Sequence, residues 1–248
     1  MKIAIPSYNR PELLQKTLDR LNDYGFSEKP YVFLSDKKQL QIYNKVDCEK
    51  IVTDTKGIQA TRNFIYSYFN EGDYVVCFDD SYTGIKIKKN NKLILFDNVK
   101  ELTKIGYQEM IKNNTCMYGI NISENPFFMK NKIQFGNYAI SAKFHGFIKQ
   151  DTPFFNSTNL TGLCEDQEAS MRVTSKYGGV IRFSGLTFDK PKYGKLQGGL
   201  QSHYTQEERK GLEKKGNIIL SKMFPKLCSL KEGGIGLRYK RIWNITYM

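Results

Sequence analysis

The sequence predicts an α/β domain with a mostly parallel central sheet, wound on both faces by helices and followed by a basic C-terminal extension of helix and strand. Three observations predict it. Short apolar strands alternate with amphipathic stretches through the first half of the chain, the pattern of βαβ units with right-handed crossovers. Of 248 residues, 40% are hydrophobic and 25% charged, a globular balance that excludes disordered and fibrous classes and leaves enough chain for a sizeable core. One apolar strand runs directly into paired carboxylates, Asp79-Asp80, and ligands of open α/β sheets sit at such strand ends.

The first strand is Lys2 to Pro6. Ser7-Tyr8-Asn9-Arg10 leads from it into a helix with Pro11 near its first position, Glu12 in its first turn and a buried stripe of Leu14, Leu18 and Leu21. Tyr31 to Leu34 and Glu49 to Thr53 are the next strands, separated by a short helix around Lys37 to Tyr43. Gly57 opens a helix over Ile58 to Phe69 that stops at Gly72, and the strand Tyr74 to Phe78 follows. Ile85 to Lys88 and Lys92 to Phe96 flank Asn90-Asn91, a hairpin turn because Asn tolerates positive φ. A helix over Val99 to Lys112, strands near Met117 to Ile122 and Ile133 to Ser141, and a Gly- and Asn-rich loop come next. A helix over Glu165 to Lys176 then ends before Gly178-Gly179. No linker or internal repeat divides the chain, so a single domain over 1–248 is expected.

Composition narrows the partners. The N-terminus runs straight into a strand, without the apolar core of a secretory signal, and no apolar run approaches the roughly 20 residues of a membrane span. A cytoplasmic protein without a transmembrane segment is expected. Cys48, Cys77, Cys116, Cys164 and Cys228 are widely spaced, with no CxxC pair, so neither a disulfide framework nor a zinc knuckle is indicated. Without an export signal, the Asn-x-Ser/Thr triplets at Asn156 and Asn159 are chance matches. The net charge is +13, and from Lys190 onward 13 Lys or Arg face four Glu. That basic end, with Tyr204, Tyr239 and Trp243 interleaved, suits a phosphate backbone, anionic lipid headgroups in a peripheral contact, or simply solvent.

Three groups of residues carry candidate chemistry. Asp79 and Asp80 repel one another and are costly to desolvate, a need met by a divalent cation bridging a diphosphate, or more blandly by a turn. Glu165-Asp166-Gln167-Glu168 opens a helix, where the macrodipole favours acids; its functional reading is a general base for an acceptor hydroxyl. Arg62 and Asn63 could hold a phosphate and a base or ribose, or Arg62 could be a surface cation. Of the histidines, His203, in a polar loop after Gly198-Gly199, is better placed for metal than His145, which lies between Phe144 and Phe147.

In order, the stretches "IAIPSYNRPELLQKTLDRL", "GIQATRNFIY", "DYVVCFDDS" and "GLCEDQEASMRV" resemble the GT-A glycosyltransferases, Rossmann-like enzymes that use nucleotide-sugar donors. The likeness spans roughly Lys2 to Val173. It implies that Pro6, Ser7, Tyr8 and Arg10 line the nucleotide pocket, with Arg62 and Asn63 beside it. Asp79 and Asp80 stand where the family carries its DxD metal motif, here as adjacent carboxylates, and His203 would help them hold Mn²⁺ or Mg²⁺. Asp166 matches the catalytic base of inverting members. The resemblance further implies a nucleotide-sugar-binding half (1–97), an acceptor-binding half (98–190) and a basic extension (191–248). The "IPSYNR" opening and "FGNYAIS" are most similar to phage and TET-associated enzymes that modify hydroxymethylpyrimidines in DNA. The function this implies is transfer of a hexose, glucose in the first instance, from a UDP-sugar to a DNA base in the host cytoplasm. Alternatives are a transferase of surface polysaccharide or lipopolysaccharide synthesis, and a non-catalytic nucleic-acid-binding module on a degenerate fold.

Overall fold

The computed structural model describes residues 1–151, 163–189, 205–233 and 236–241. The first half contains β1 (Lys2–Ser7), α1 (Pro11–Asp23), β2 (Tyr31–Leu34), α2 (Gln39–Ile42), β3 (Glu49–Val52), α3 (Ile58–Tyr68) and β4 (Tyr74–Phe78). The hairpin β5 (Ile85–Lys89) and β6 (Lys92–Phe96), then α4 (Val99–Lys112), β7 (Met117–Ile120), β8 (Ile133–Gly136) and β9 (Phe144–Ile148) follow. The remainder is α5 (Glu165–Tyr177), β10 (Val180–Phe183), β11 (Leu186–Phe188), α6 (Gln206–Met223), β12 (Cys228–Leu230) and β13 (Leu237–Tyr239).

The expected α/β class is what these elements form. The central sheet has eight strands in the order β3-β2-β1-β4-β9-β7-β10-β8. β3, β2, β1 and β4 pair in parallel, as do β7 and β10. β9 is inserted antiparallel between β4 and β7, and β8 closes the edge antiparallel to β10. Alternation along the strands divides the core in two. Ile3 and Ile5 join Leu14, Leu18, Val99 and Leu102 under α1 and α4, whereas Ala4, Val75 and Cys77 join Ile65, Tyr66, Ala169 and Val173 under α3 and α5.

β9 is absent from the sequence reading because Phe144-His145-Gly146-Phe147-Ile148 carries a glycine and a polar residue where an apolar alternation is sought. Its glycine has a packing reason. The Tyr118 ring of β7 lies across Gly146, where a Cβ would stand 2.1 Å from a ring carbon, and Gly106 of α4 meets the same ring at 2.7 Å. Tyr118 is fully buried and its hydroxyl hydrogen-bonds that of Tyr74 at 2.8 Å.

Elsewhere the local chemistry does what was expected of it. Asn90 and Asn91 take φ 48 and 58 in the β5–β6 turn. The strand expected over Ile133 to Ser141 ends at Gly136, because Asn137 turns inward and donates to Leu227 O (2.7 Å) and Lys240 O (3.0 Å). Those bonds seat the β12–β13 hairpin, which packs with α6 on Cys164 and Met171 of the α5 region. α6 begins with a capping box between Thr205 and Glu208. A separate three-stranded sheet, β11-β5-β6, is built from the segments that follow β4 and β10.

Candidate active site

The carboxylate pair follows β4 where that strand lies beside the end of β1. Asp80 is only 4% exposed. Its carboxylate accepts from Ser7 Oγ at 2.9 Å and pairs with Arg10 at 3.3 Å, while its carbonyl accepts from Thr17 Oγ1 at 2.8 Å. Tyr43 OH hydrogen-bonds Ser7 Oγ at 2.7 Å and accepts from Arg10 N at 2.8 Å. The loop between β1 and α1 is thus strapped onto the end of β4 by its own polar groups. Burial, then the charge of Asp79, push the Asp80 carboxyl up to about 7 against the pull of Arg10 and Ser7.

Asp79 is half-buried and accepts from Ser81 Oγ at 3.1 Å. The two aspartates therefore divide their work: Asp80 organises the loop, and Asp79 is the more open of the pair. Pro6 is buried beside them and Tyr8 is exposed. Asn9 takes φ 54 and exchanges two 3.0 Å hydrogen bonds with the buried Gln39 of α2, which fixes the tip of the loop.

A second cluster lines a pocket between α3, the loop before β9 and the start of α5. Helix periodicity places Arg62 and Tyr66 one turn apart on the buried face of α3. The Arg62 guanidinium forms a buried ion pair with Glu165 and is also subject to the charges of Asp79 and Asp166. Tyr66 OH is hydrogen-bonded to Nε2 of His145, which β9 projects toward α3. Burial and the Arg62 charge pull His145 down to about 3, so its ring is neutral. Met117, Ile140 and Ala169 supply the apolar wall.

Asp166 is half-buried at this pocket, its Oδ1 accepting from Gln167 N at 2.8 Å. Burial and the neighbouring Glu165 charge push it up to about 7, opposed by Arg62 and by the backbone N–H groups of Gln167 and Ala142. A carboxyl poised there accepts a proton near neutrality. Arg62 is the element common to both clusters.

Of the residues singled out in the sequence, the fold brings Ser7, Arg10 and Asp80 into direct contact and sets Arg62 against Glu165. Asn63 is half-buried, and its Oδ1 has no hydrogen-bond partner among the described residues. His203 lies outside the described residues. Tyr66 and the pairing role of Glu165 were not read from the sequence, and His145 was weighed there only as a less well placed metal ligand than His203. The i, i+4 spacing of Arg62 and Tyr66 was the available signal for one of them; for His145 there was none without β9.

Among the described residues no group of three or more His, Cys, Asp or Glu side chains forms a metal cage. Asp79 beside Asp80 still fits Mg²⁺ or Mn²⁺, since such ions are commonly held by one or two carboxylates plus substrate phosphates and water.

No family model matches the chain, and no curated protein matches it. Solved structures give likenesses of low identity. The S. aureus TarS fragment 1-349 aligns at a TM-score of 0.49 and 18% identity, over 74% of this chain and 58% of that one. CMP:2-keto-3-deoxy-manno-octonic acid synthetase complexed with CTP aligns at 0.43 and 9%, over 73% and 88%. UDP-glucose pyrophosphorylase complexed with UDP-glucose aligns at 0.40 and 10%, over 74% and 89%.

Proposed function

We propose that this chain is a glycosyltransferase that moves a hexose, glucose in the first instance, from a UDP-sugar to a hydroxymethyl group on a pyrimidine base of DNA, with inversion. The observation that carries the reading is Asp166, a half-buried carboxyl pushed up to about 7 at a pocket shared with the Arg62–Glu165 pair. As general base, Asp166 takes the acceptor hydroxyl proton while that oxygen bonds to the anomeric carbon. The bond from that carbon to the UDP oxygen breaks, and the diphosphate leaves with the electron pair.

Residues 1–97 serve the donor and 98–190 the acceptor. Ser7, Arg10 and Pro6 shape the donor loop, Tyr8 offers an exposed ring to the base, and Arg62 and Asn63 present a cation and an amide beside it. Asp79 and Asp80, with His203, would hold Mn²⁺ or Mg²⁺, which when bound neutralises charge on the departing diphosphate. The excess of Lys and Arg in 191–248, 12 against four Glu, supports an acceptor with a phosphate backbone, and a cytoplasmic setting follows from such a substrate.

The test is UDP release from UDP-glucose with Mn²⁺, run in parallel on hydroxymethylated DNA, unmodified DNA and no acceptor. Stimulation by hydroxymethylated DNA alone supports the whole reading. Release without DNA stimulation keeps the transferase and discards that acceptor in favour of surface-polysaccharide chemistry. No release with any nucleotide sugar leaves a nucleic-acid-binding module.

A further inference from the structure

Parallel pairing of β7 with β10, and their common direction with β4, bring the segment that follows β7 out on the same sheet edge as Asp79. That segment, 121–132, carries Pro126–Phe128 as a tight 3-10 turn whose Asn125 Oδ1 accepts from Phe127 N at 3.0 Å. Phe127 is 82% exposed and Phe128 67%, their rings edge-to-face at 5.1 Å. Proline and the cap stiffen the turn, so both rings are held out in water. Ile122 is exposed as well, and on the edge strand β8 Ile133 and Phe135 alternate onto one exposed face.

The charge around these rings is one-sided. Lys88 Nζ donates to Met129 O and Asn131 Nδ2 donates to Lys88 O, each at 3.0 Å, which ties the tip of the β5–β6 hairpin to this segment. Lys88, Lys89 and Lys92 therefore stand with Lys130 and Lys132, and Glu124 is the only carboxylate in 85–96 and 121–136.

We propose that this face, centred on Phe127 and Phe128, docks on an anionic lipid bilayer, with the rings at the acyl boundary and the lysines at headgroup phosphates and carboxylates. Stiffly presented apolar side chains flanked by lysine are what an interfacial anchor needs. A nucleic acid would complement the lysines but offers no counterpart to the aliphatic Ile122 and Ile133. This surface does not rest on the donor chemistry proposed above.

The experiment is co-sedimentation of the full chain with phosphatidylcholine vesicles, with and without phosphatidylserine, alongside a duplex-DNA binding assay. Wild type is expected to bind only the phosphatidylserine vesicles. Phe127→Ser with Phe128→Ser should weaken that binding about tenfold or more, and Lys130→Gln with Lys132→Gln about fivefold for each lysine removed. These side chains are exposed, so melting temperatures should match wild type. Equal or absent binding to both vesicle types overturns the proposal. So does a loss of DNA binding in the variants with vesicle binding unchanged, which would make this a nucleic-acid surface. UDP release without acceptor, measured on the same variants, reports separately on the transferase reading.

Discussion

Arg62 and Glu165, 103 positions apart in sequence, form a buried ion pair that joins α3 to the first turn of α5. The pair sets Asp166 beside the pocket, and it places one guanidinium within the field of both acidic groups.

Removing one partner should therefore be felt as instability. Arg62→Met leaves Glu165 buried without its cation, at a cost of about 3–5 kcal/mol. Arg62→Met with Glu165→Gln should recover most of that. Urea unfolding of the single and double variants measures the coupling, and strictly additive losses would show that the pair is not energetically linked.

Asp166→Asn should lower turnover by about a hundredfold or more while leaving UDP-sugar affinity within a small factor, as calorimetry would show. In wild type, kcat/KM should rise with pH through about 7, where Asp166 loses its proton. His145, at about 3, is already neutral and contributes no limb there. A His145→Gln variant that retains activity should therefore keep the same pH midpoint.

The same carboxyl makes a stability prediction of opposite sign. Its folded pKa is raised, so ionisation costs the folded state, and the cost grows as pH climbs from the ordinary carboxylate range toward about 7. Asp166→Asn should be more stable than wild type by about 1–3 kcal/mol above neutrality, taking about 1.4 kcal/mol per pKa unit and discounting for partial exposure. That gain should vanish near pH 4, about the unperturbed carboxylate value. Thermal melts across this range check it.

The two adjacent aspartates should separate. Asp79→Asn is expected to raise the Mn²⁺ concentration for half-maximal UDP release about tenfold or more with little change in melting temperature. Asp80→Asn should instead act on stability rather than on the Mn²⁺ dependence: it loses the bonds to Arg10 and Ser7, and because burial raises the Asp80 carboxyl to about 7, that loss is offset as pH climbs toward neutrality and the wild-type carboxyl must ionise. Equal effects of both variants on both readouts would remove the division of roles.

Gly146→Ala should destabilise the fold by about 3 kcal/mol or more, because its methyl would meet the Tyr118 ring at 2.1 Å and that ring is also wedged against Gly106. Gly211, on α6 with open space around it, is the control: alanine there should stabilise by about 0.4–1 kcal/mol.

Much of this was legible in the chain. Period-2 and period-3.6 patterns located β1, α1, β2, α3, β4, the β5–β6 hairpin, α4 and α5, because each buries an apolar stripe that a local pattern records. The strand end bearing Asp79-Asp80 and the acidic start of α5 were legible for the same reason, as punctuation after apolar runs. β9 was not, because it is specified by its neighbours: its glycine exists for the Tyr118 ring and its histidine for Tyr66.

The sequence by itself determined the α/β class, the basic balance and the residue types on offer at each strand end. Only the tertiary structure decided their partners. It tied Asp80 to Arg10 and Ser7, left Asp79 more open, and paired Arg62 with Glu165. The physical reason is that burial and electrostatics are long-range in sequence: a carboxylate's neighbours and its desolvation depend on which strands lie side by side, which no local window contains.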